Sequence, residues 1–159
     1  MRIFIDILIA LMIAGILAGA VVLHRSNQEK QQKVETTRIE VRRFQRQLML
    51  KAAIAQAGNG NESFPDTVDP TWFGENLPKN YLLNEGHPWV EIAAKSERTL
   101  AHPIDPTANE MTDAQFWYNP YLGLVRARVP ADVSDAKAVE LYNTINETDL
   151  VDLFSRSPD

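Results

Sequence analysis

Ile7-Leu8-Ile9-Ala10-Leu11-Met12-Ile13-Ala14-Gly15-Ile16-Leu17-Ala18-Gly19-Ala20-Val21-Val22-Leu23 is apolar or glycine at all 17 positions. Ile3, Phe4 and Ile5 extend the run toward the start of the chain, interrupted by Asp6 alone. At ~1.5 Å per residue, a helix of that length matches the ~30 Å hydrocarbon core of a bilayer. A helix buried in a soluble domain would carry polar residues at helical spacing, and the run has none after Asp6. The stretch therefore predicts a membrane helix over residues 1–25. The competing reading is a cleaved secretory signal, with Arg2 as its charged start and Ala18-Gly19-Ala20 as its small-residue site. Asp6 sits where such signals are free of acid, and no turn residue separates the run from the helix-forming sequence beyond it, so the anchored helix is preferred.

Two details of the run bear on association. Gly15 and Gly19 form a G-x-x-x-G flanked by Ala14 and Ala18, a spacing that lets a second backbone approach closely in lipid. Gly and Ala are also common in membrane helices that associate with nothing. Asp6 has two readings. It is an interfacial acid in the first helical turn, where the helix dipole and nearby water lower its cost, or it pairs with a positive group on a neighbouring subunit.

Residues 26–57 contain no Pro and no Gly and are rich in Gln, Glu, Lys, Arg and Ala, which is good helix composition. Val34, Val41 and Leu48 fall seven apart with Phe44 between them, a narrow stripe suited to one packing surface. No breaker separates this segment from the apolar run, so residues 3–57 predict one continuous helix that stops at Gly58-Asn59-Gly60-Asn61. Its basic side chains read as a solvated face, or, for Arg25, Lys30 and Lys33 near the membrane end, as attraction to anionic headgroups.

Residues 58–159 predict a small α+β domain with a loop-rich start. Pro, Asp, Asn and Gly crowd residues 62–88, and a second polar loop covers residues 101–114. Trp89-Val90-Glu91-Ile92 alternates as a half-buried strand does. Asn119-Pro120-Tyr121-Leu122-Gly123 is placed as the connection of a hairpin over residues 115–129. In its second arm Val125, Ala127 and Val129 alternate with Arg126 and Arg128, and Pro130 is expected to end the strand. Ser134 is expected to cap a short helix over residues 134–146. About 100 residues with so little regular structure cannot enclose a large core unaided. The expected fold is thus α+β: a long N-terminal helix with a membrane-embedded first half, and a small antiparallel sheet packed on its soluble half through Val34, Val41, Phe44 and Leu48.

The whole-chain averages, 45% hydrophobic with a formal charge of −5, conceal three zones. Residues 1–23 are neutral, residues 24–57 carry +5, and residues 58–159 carry −10. An acidic folded domain repels phosphate, so nucleic acid is not an expected partner. The absence of cysteine excludes disulfides, thiolate metal sites and a Cys nucleophile.

A search for chemistry finds no phosphate loop, no G-x-S-x-G and no H-E-x-x-H. His87 and His102 lie on separate loops, each followed by Pro, and His24 lies at the edge of the apolar run. The acid pairs Asp66/Asp69 and Asp132/Asp135 read as turn and helix-start acids rather than calcium ligands. Arg126 and Arg128 read as the outer face of a sheet. No catalytic residue, metal or cofactor is expected.

The architecture resembles the type IV pilin-like family, which includes the pseudopilins of type II secretion. Phe4-Ile5-Asp6-Ile7-Leu8-Ile9-Ala10-Leu11-Met12-Ile13-Ala14-Gly15-Ile16-Leu17-Ala18-Gly19 is similar to that family's N-terminal segment, with the acid nine residues before the Gly of Gly15-Ile16-Leu17-Ala18. Phe116-Trp117-Tyr118-Asn119-Pro120-Tyr121-Leu122-Gly123 resembles the aromatic, turn-centred hairpin of some pseudopilin-like proteins. Three departures stand beside this: Asp replaces the family's usual Glu, no Gly-Phe junction precedes it, and no Pro follows the apolar stretch. The resemblance implies a structural, non-enzymatic subunit, single-pass in the cytoplasmic membrane with its C-terminal domain outside. It implies homo- or hetero-oligomers with other pilin-like subunits, contact with secretion-platform proteins, and a role for Asp6 in neutralising a neighbour's N-terminal amine. Counting Arg25, Lys30, Lys33 and Arg38 against Arg2 by the positive-inside rule gives the opposite orientation. An anchored binding module presenting loops 62–88 and 101–114 is the alternative reading.

Overall fold

A computed structural model describes residues 2–59 and 64–153, with side chains for residues 11–57 and 64–153. Helix α1 (Arg2–Asn59) is one continuous element, as expected where 32 successive positions lack both Pro and Gly. The chain divides into two compact units, Met1–Lys33 and Val34–Asp159. The described residues of the first are helix alone. Of its apolar run, side chains are described from Leu11 onward, and among the described residues no helix is long and apolar enough to cross a membrane. The membrane-embedded first half expected for α1 thus has no support from the described residues.

The second unit is α+β. Strands β1 (Val90–Ile92), β2 (Thr107–Ala108), β3 (Phe116–Asn119), β4 (Leu124–Ala127) and β5 (Val129–Pro130) precede helix α2 (Asp135–Asn146). β3 and β4 form an antiparallel hairpin with Tyr118 opposite Val125 and Phe116 opposite Ala127. Gly123 ends its turn at φ +65°, and a Cβ there would strike the Phe64 ring. Backbone conformation and neighbour both call for glycine.

The sheet is mixed, which corrects the expected antiparallel one. β1 lies beside β3 and runs parallel to it, giving the order β1-β3-β4, and β2 pairs with β5 in a separate parallel ribbon. A three-residue alternation carries no direction, and the long segment between β1 and β3 is ample for the crossover that a parallel pair requires. Pro130 is the last residue of β5, so a strand ends there as expected, but the single arm expected before it is split into β4 and β5. Arg128 N still donates to Gln115 O at 3.1 Å; beyond it the chain changes partner, and Val129 and Ala131 donate to Pro106 O and Ala108 O at 3.1 and 3.2 Å. Pro130 falls between these two donors, where the ladder asks for no N–H.

The core forms where the helix stripe meets the inner sheet face. Val41, Phe44 and Leu48 of α1 pack with Phe116, Tyr118, Val125, Ala127 and Val129, while α2 contributes Ala138, Leu141, Tyr142 and Ile145. Val34 is half-buried at the margin of this cluster. Phe44 stacks on Trp89 with ring centroids 5.2 Å apart and meets Phe73 and Phe116 edge-on. Thr37, between Val34 and Val41, is also buried, and its hydroxyl accepts the Tyr81 N–H at 3.0 Å. Ser134 precedes α2, but its backbone oxygen, not its side chain, makes the first helical bond, to Ala138 N.

The free edge of β4 is closed by side chains. Gln45 of α1 accepts the Val125 N–H at 2.9 Å and donates to Gly123 O, and Asn146 of α2 accepts from Ala127 N and donates to Ala127 O. Two carboxamides thus take the place of a neighbouring strand.

Candidate assembly surface

Residues 11–24 of α1 are exposed at every position. Leu11 is 66% exposed, Met12 65% and Leu17 62%, and these three side chains point to different sides of the helix. A surface helix of a soluble domain hides one apolar stripe; this segment is apolar all round and meets no partner among the described residues. A Cβ built on Gly15 or Gly19 would meet nothing within 4 Å, and Ala14 and Ala18 are exposed beside them. The four small residues therefore line an open strip of helix surface. The side chain of Asp6, the expected assembly acid, lies outside the described residues. Arg25, Lys30 and Lys33 are exposed just beyond the apolar segment.

Val41, Phe44 and Leu48 face the sheet and are buried, so they belong to the core of the second unit and not to its surface. A different face of α1 in that unit remains open, with Ile39, Met49, Leu50 and Ile54 each about half exposed.

Of the polar residues considered for chemistry, His87, His102 and Asp69 are committed to structural bonds. His87 Nδ1 bonds to Asp113 O at 2.8 Å, and Asp113 accepts the N–H groups of Asn109 and Glu110, each at 2.8 Å. The Glu110 bond is the main cause that holds the Asp113 carboxyl below its usual range. Asp69 caps the 3-10 turn Pro70–Phe73 by accepting from Thr71 N, and the Thr71 side chain first, with this backbone bond second, holds its carboxyl below the usual range. His102 Nδ1 lies 3.1 Å from the Tyr142 hydroxyl, with burial first and Arg126 second lowering the imidazole's pKa. Burial raises Tyr142. Among the described residues, no group of three or more His, Asp or Glu side chains could hold a metal ion.

Arg126 and Arg128 lie on the outer sheet face, but they are not a solvated surface. Arg128 is 4% exposed; it donates to Asp105 O at 2.8 Å and Ala114 O at 3.2 Å and pairs with Glu91 at 2.5 Å. Arg126 donates to Ala101 O, and Asn119 donates to the carbonyls of Glu97, Arg98 and Leu100. These side chains fasten the segment of residues 97–105 over the sheet. Trp117 is fully buried on that face, and its indole N–H has no hydrogen-bond partner among the described residues. Sequence reasoning missed this outer layer, because Asn119 reads as a turn residue and a lone Arg reads as exposed until the covering loop is seen.

No family model, no curated protein and no solved structure matches the chain.

Proposed function

We propose that the chain is an assembly subunit held in a membrane by residues 3–23, resembling the pseudopilins in design, with the second unit carried on the helix as its exposed domain. The observation that carries this reading is the apolar surface of residues 11–23, exposed at every position. Each large side chain there would gain about 1.5–3 kcal/mol on leaving water. Eight of them around one helix demand an apolar environment on every side, which a bilayer with neighbouring helices supplies. The open strip at Ala14, Gly15, Ala18 and Gly19 is where a second helix would approach closest. Asp6, near the helix start, is the group to neutralise a neighbour's amine. The domain's bonded polar groups favour a structural role over catalysis.

The test separates anchoring from assembly. The full chain is expected to stay with membranes through alkaline extraction and to crosslink to pilin-like subunits. Asp6→Ala is expected to keep the first property and weaken the second. Release of the unsubstituted chain by alkali would overturn the anchoring, and unchanged crosslinking in Asp6→Ala would overturn the role of the acid.

A further inference from the structure

The two edges of the three-stranded sheet are finished differently. β4 is sealed by Gln45 and Asn146. At the other edge, Trp89 O accepts from Phe116 N at 3.1 Å and Ala93 N donates to Tyr118 O at 2.8 Å. In this parallel register, Val90 opposite Phe116 and Ile92 opposite Tyr118, successive residues of β1 direct their backbone groups to opposite sides. The N–H and C=O groups of Val90 and Ile92 therefore point away from β3. No described residue hydrogen-bonds to these four groups on that side.

The side chains lead to the same edge. Along the inner face, Ala127 and Phe116 form one row and Val125 and Tyr118 the next, and all four are fully buried. Val90 and Ile92 end those rows and are only half-buried, so the core thins toward β1. On the outer face Glu91, held by Arg128, keeps a side chain that is 46% exposed. The edge thus offers two donors and two acceptors, an apolar ledge on one face and a carboxylate on the other, in a domain segment that carries −10.

We infer that β1 takes an extended segment of a partner protein as a fourth strand. The segment reads apolar-basic-apolar: its apolar side chains complete the cover over Val90 and Ile92, and its basic one lies beside Glu91. Backbone pairing supplies affinity, and the alternating side chains supply selectivity. This surface lies wholly within the second unit and does not depend on how the chain is anchored or assembled.

The probe is an end-blocked peptide of alternating valine and arginine, titrated into the full isotope-labelled chain in a nonionic detergent. Saturable binding is expected, with slowed amide exchange at Val90 and Ile92. The same peptide N-methylated at alternate positions, in the phase that faces β1, should bind at least about tenfold more weakly at unchanged charge. A peptide with glutamate in place of arginine should weaken similarly. Val90→Pro removes an outward N–H and no ladder bond, so it should reduce binding while the near-ultraviolet signal of the buried aromatics persists. Absence of saturable binding, equal binding of the N-methylated peptide, or amides of Val90 and Ile92 already protected in the free chain would each overturn the inference.

Discussion

The side chain of Asn146 grips the backbone of Ala127 at both ends: Oδ1 accepts its N–H at 2.7 Å, and Nδ2 donates to its carbonyl at 2.9 Å. Asn146 is the last residue of α2, and Ala127 is the last of β4. The pair joins a helix end to a strand edge inside the core, where water does not replace a missing partner. Asn146→Ala should therefore cost about 2–4 kcal/mol, since it strands one buried donor and one buried acceptor. Asn146→Asp should cost at least as much, because its carboxylate faces the Ala127 carbonyl. Denaturant midpoints of the full chain in detergent check both; a loss as small as that of an exposed-site control would contradict the assignment.

Gly123 makes a second prediction. Gly123→Ala places a side chain at φ +65° and against the Phe64 ring, and should cost about 1–2 kcal/mol from the backbone alone, with more from the displaced ring. Pairing it with Phe64→Ala should recover the ring's share and leave the backbone share. A double-variant cycle reads the two contributions apart.

His102 should make the stability of the domain depend on pH. Burial, with Arg126 adding its charge, depresses the imidazole below its ordinary 6.5. With the proton of the neutral ring on Nε2, Nδ1 accepts from the Tyr142 hydroxyl; a ring protonated on both nitrogens no longer accepts, and the hydroxyl loses that partner. A depressed folded value means that the contribution is complete above pH 6.5 and is lost as pH falls through the lower folded value. Melting temperature measured from pH 7.5 to 5 should decline in the native chain and decline less in His102→Gln. Parallel curves would remove His102 as the cause.

Arg128→Lys should show that shape matters here, not charge alone. The guanidinium reaches Asp105 O, Ala114 O and Glu91 at once, a fork that an ammonium does not reproduce. A loss of about 2 kcal/mol is expected, with faster proteolysis in residues 97–105 as the held segment loosens. Glu91→Gln should lose less, since its side chain is half exposed. Equal stability of Arg128→Lys and the native chain would refute the fork.

What could be read in advance followed the periodicities. The spacing of Val41, Phe44 and Leu48 marks a helix face, and the alternation of Val125, Ala127 and Val129 marks a sheet face; all six are buried together. The direction of β1 was not legible, because pairing sense depends on a partner more than 20 residues away. Thr37, Asn80, Asn119 and Asn146 were missed for a shared reason. A polar residue is buried only when a particular backbone group awaits it, and that group comes from another element, as Arg128 O does for Asn80 at 2.7 Å. The candidate assembly surface was legible as apolar sequence, and the exposure of residues 11–23 at every position among the described residues is structural information.

The closure of β4 by Gln45 and Asn146 has a consequence for alignment. Sliding a strand by one residue turns its apolar set outward, and hydrophobicity forbids that. Sliding it by two keeps Val125 and Ala127 facing inward, so oil and water alone scarcely distinguish the shifted arrangement from the native one. The two carboxamides do distinguish it. Each is fixed on a helix at one height, and a two-residue slip would present them with the wrong pair of peptide groups. They act as index marks that set β4 against α1 and α2, so this sheet is aligned by its amides as much as by its core.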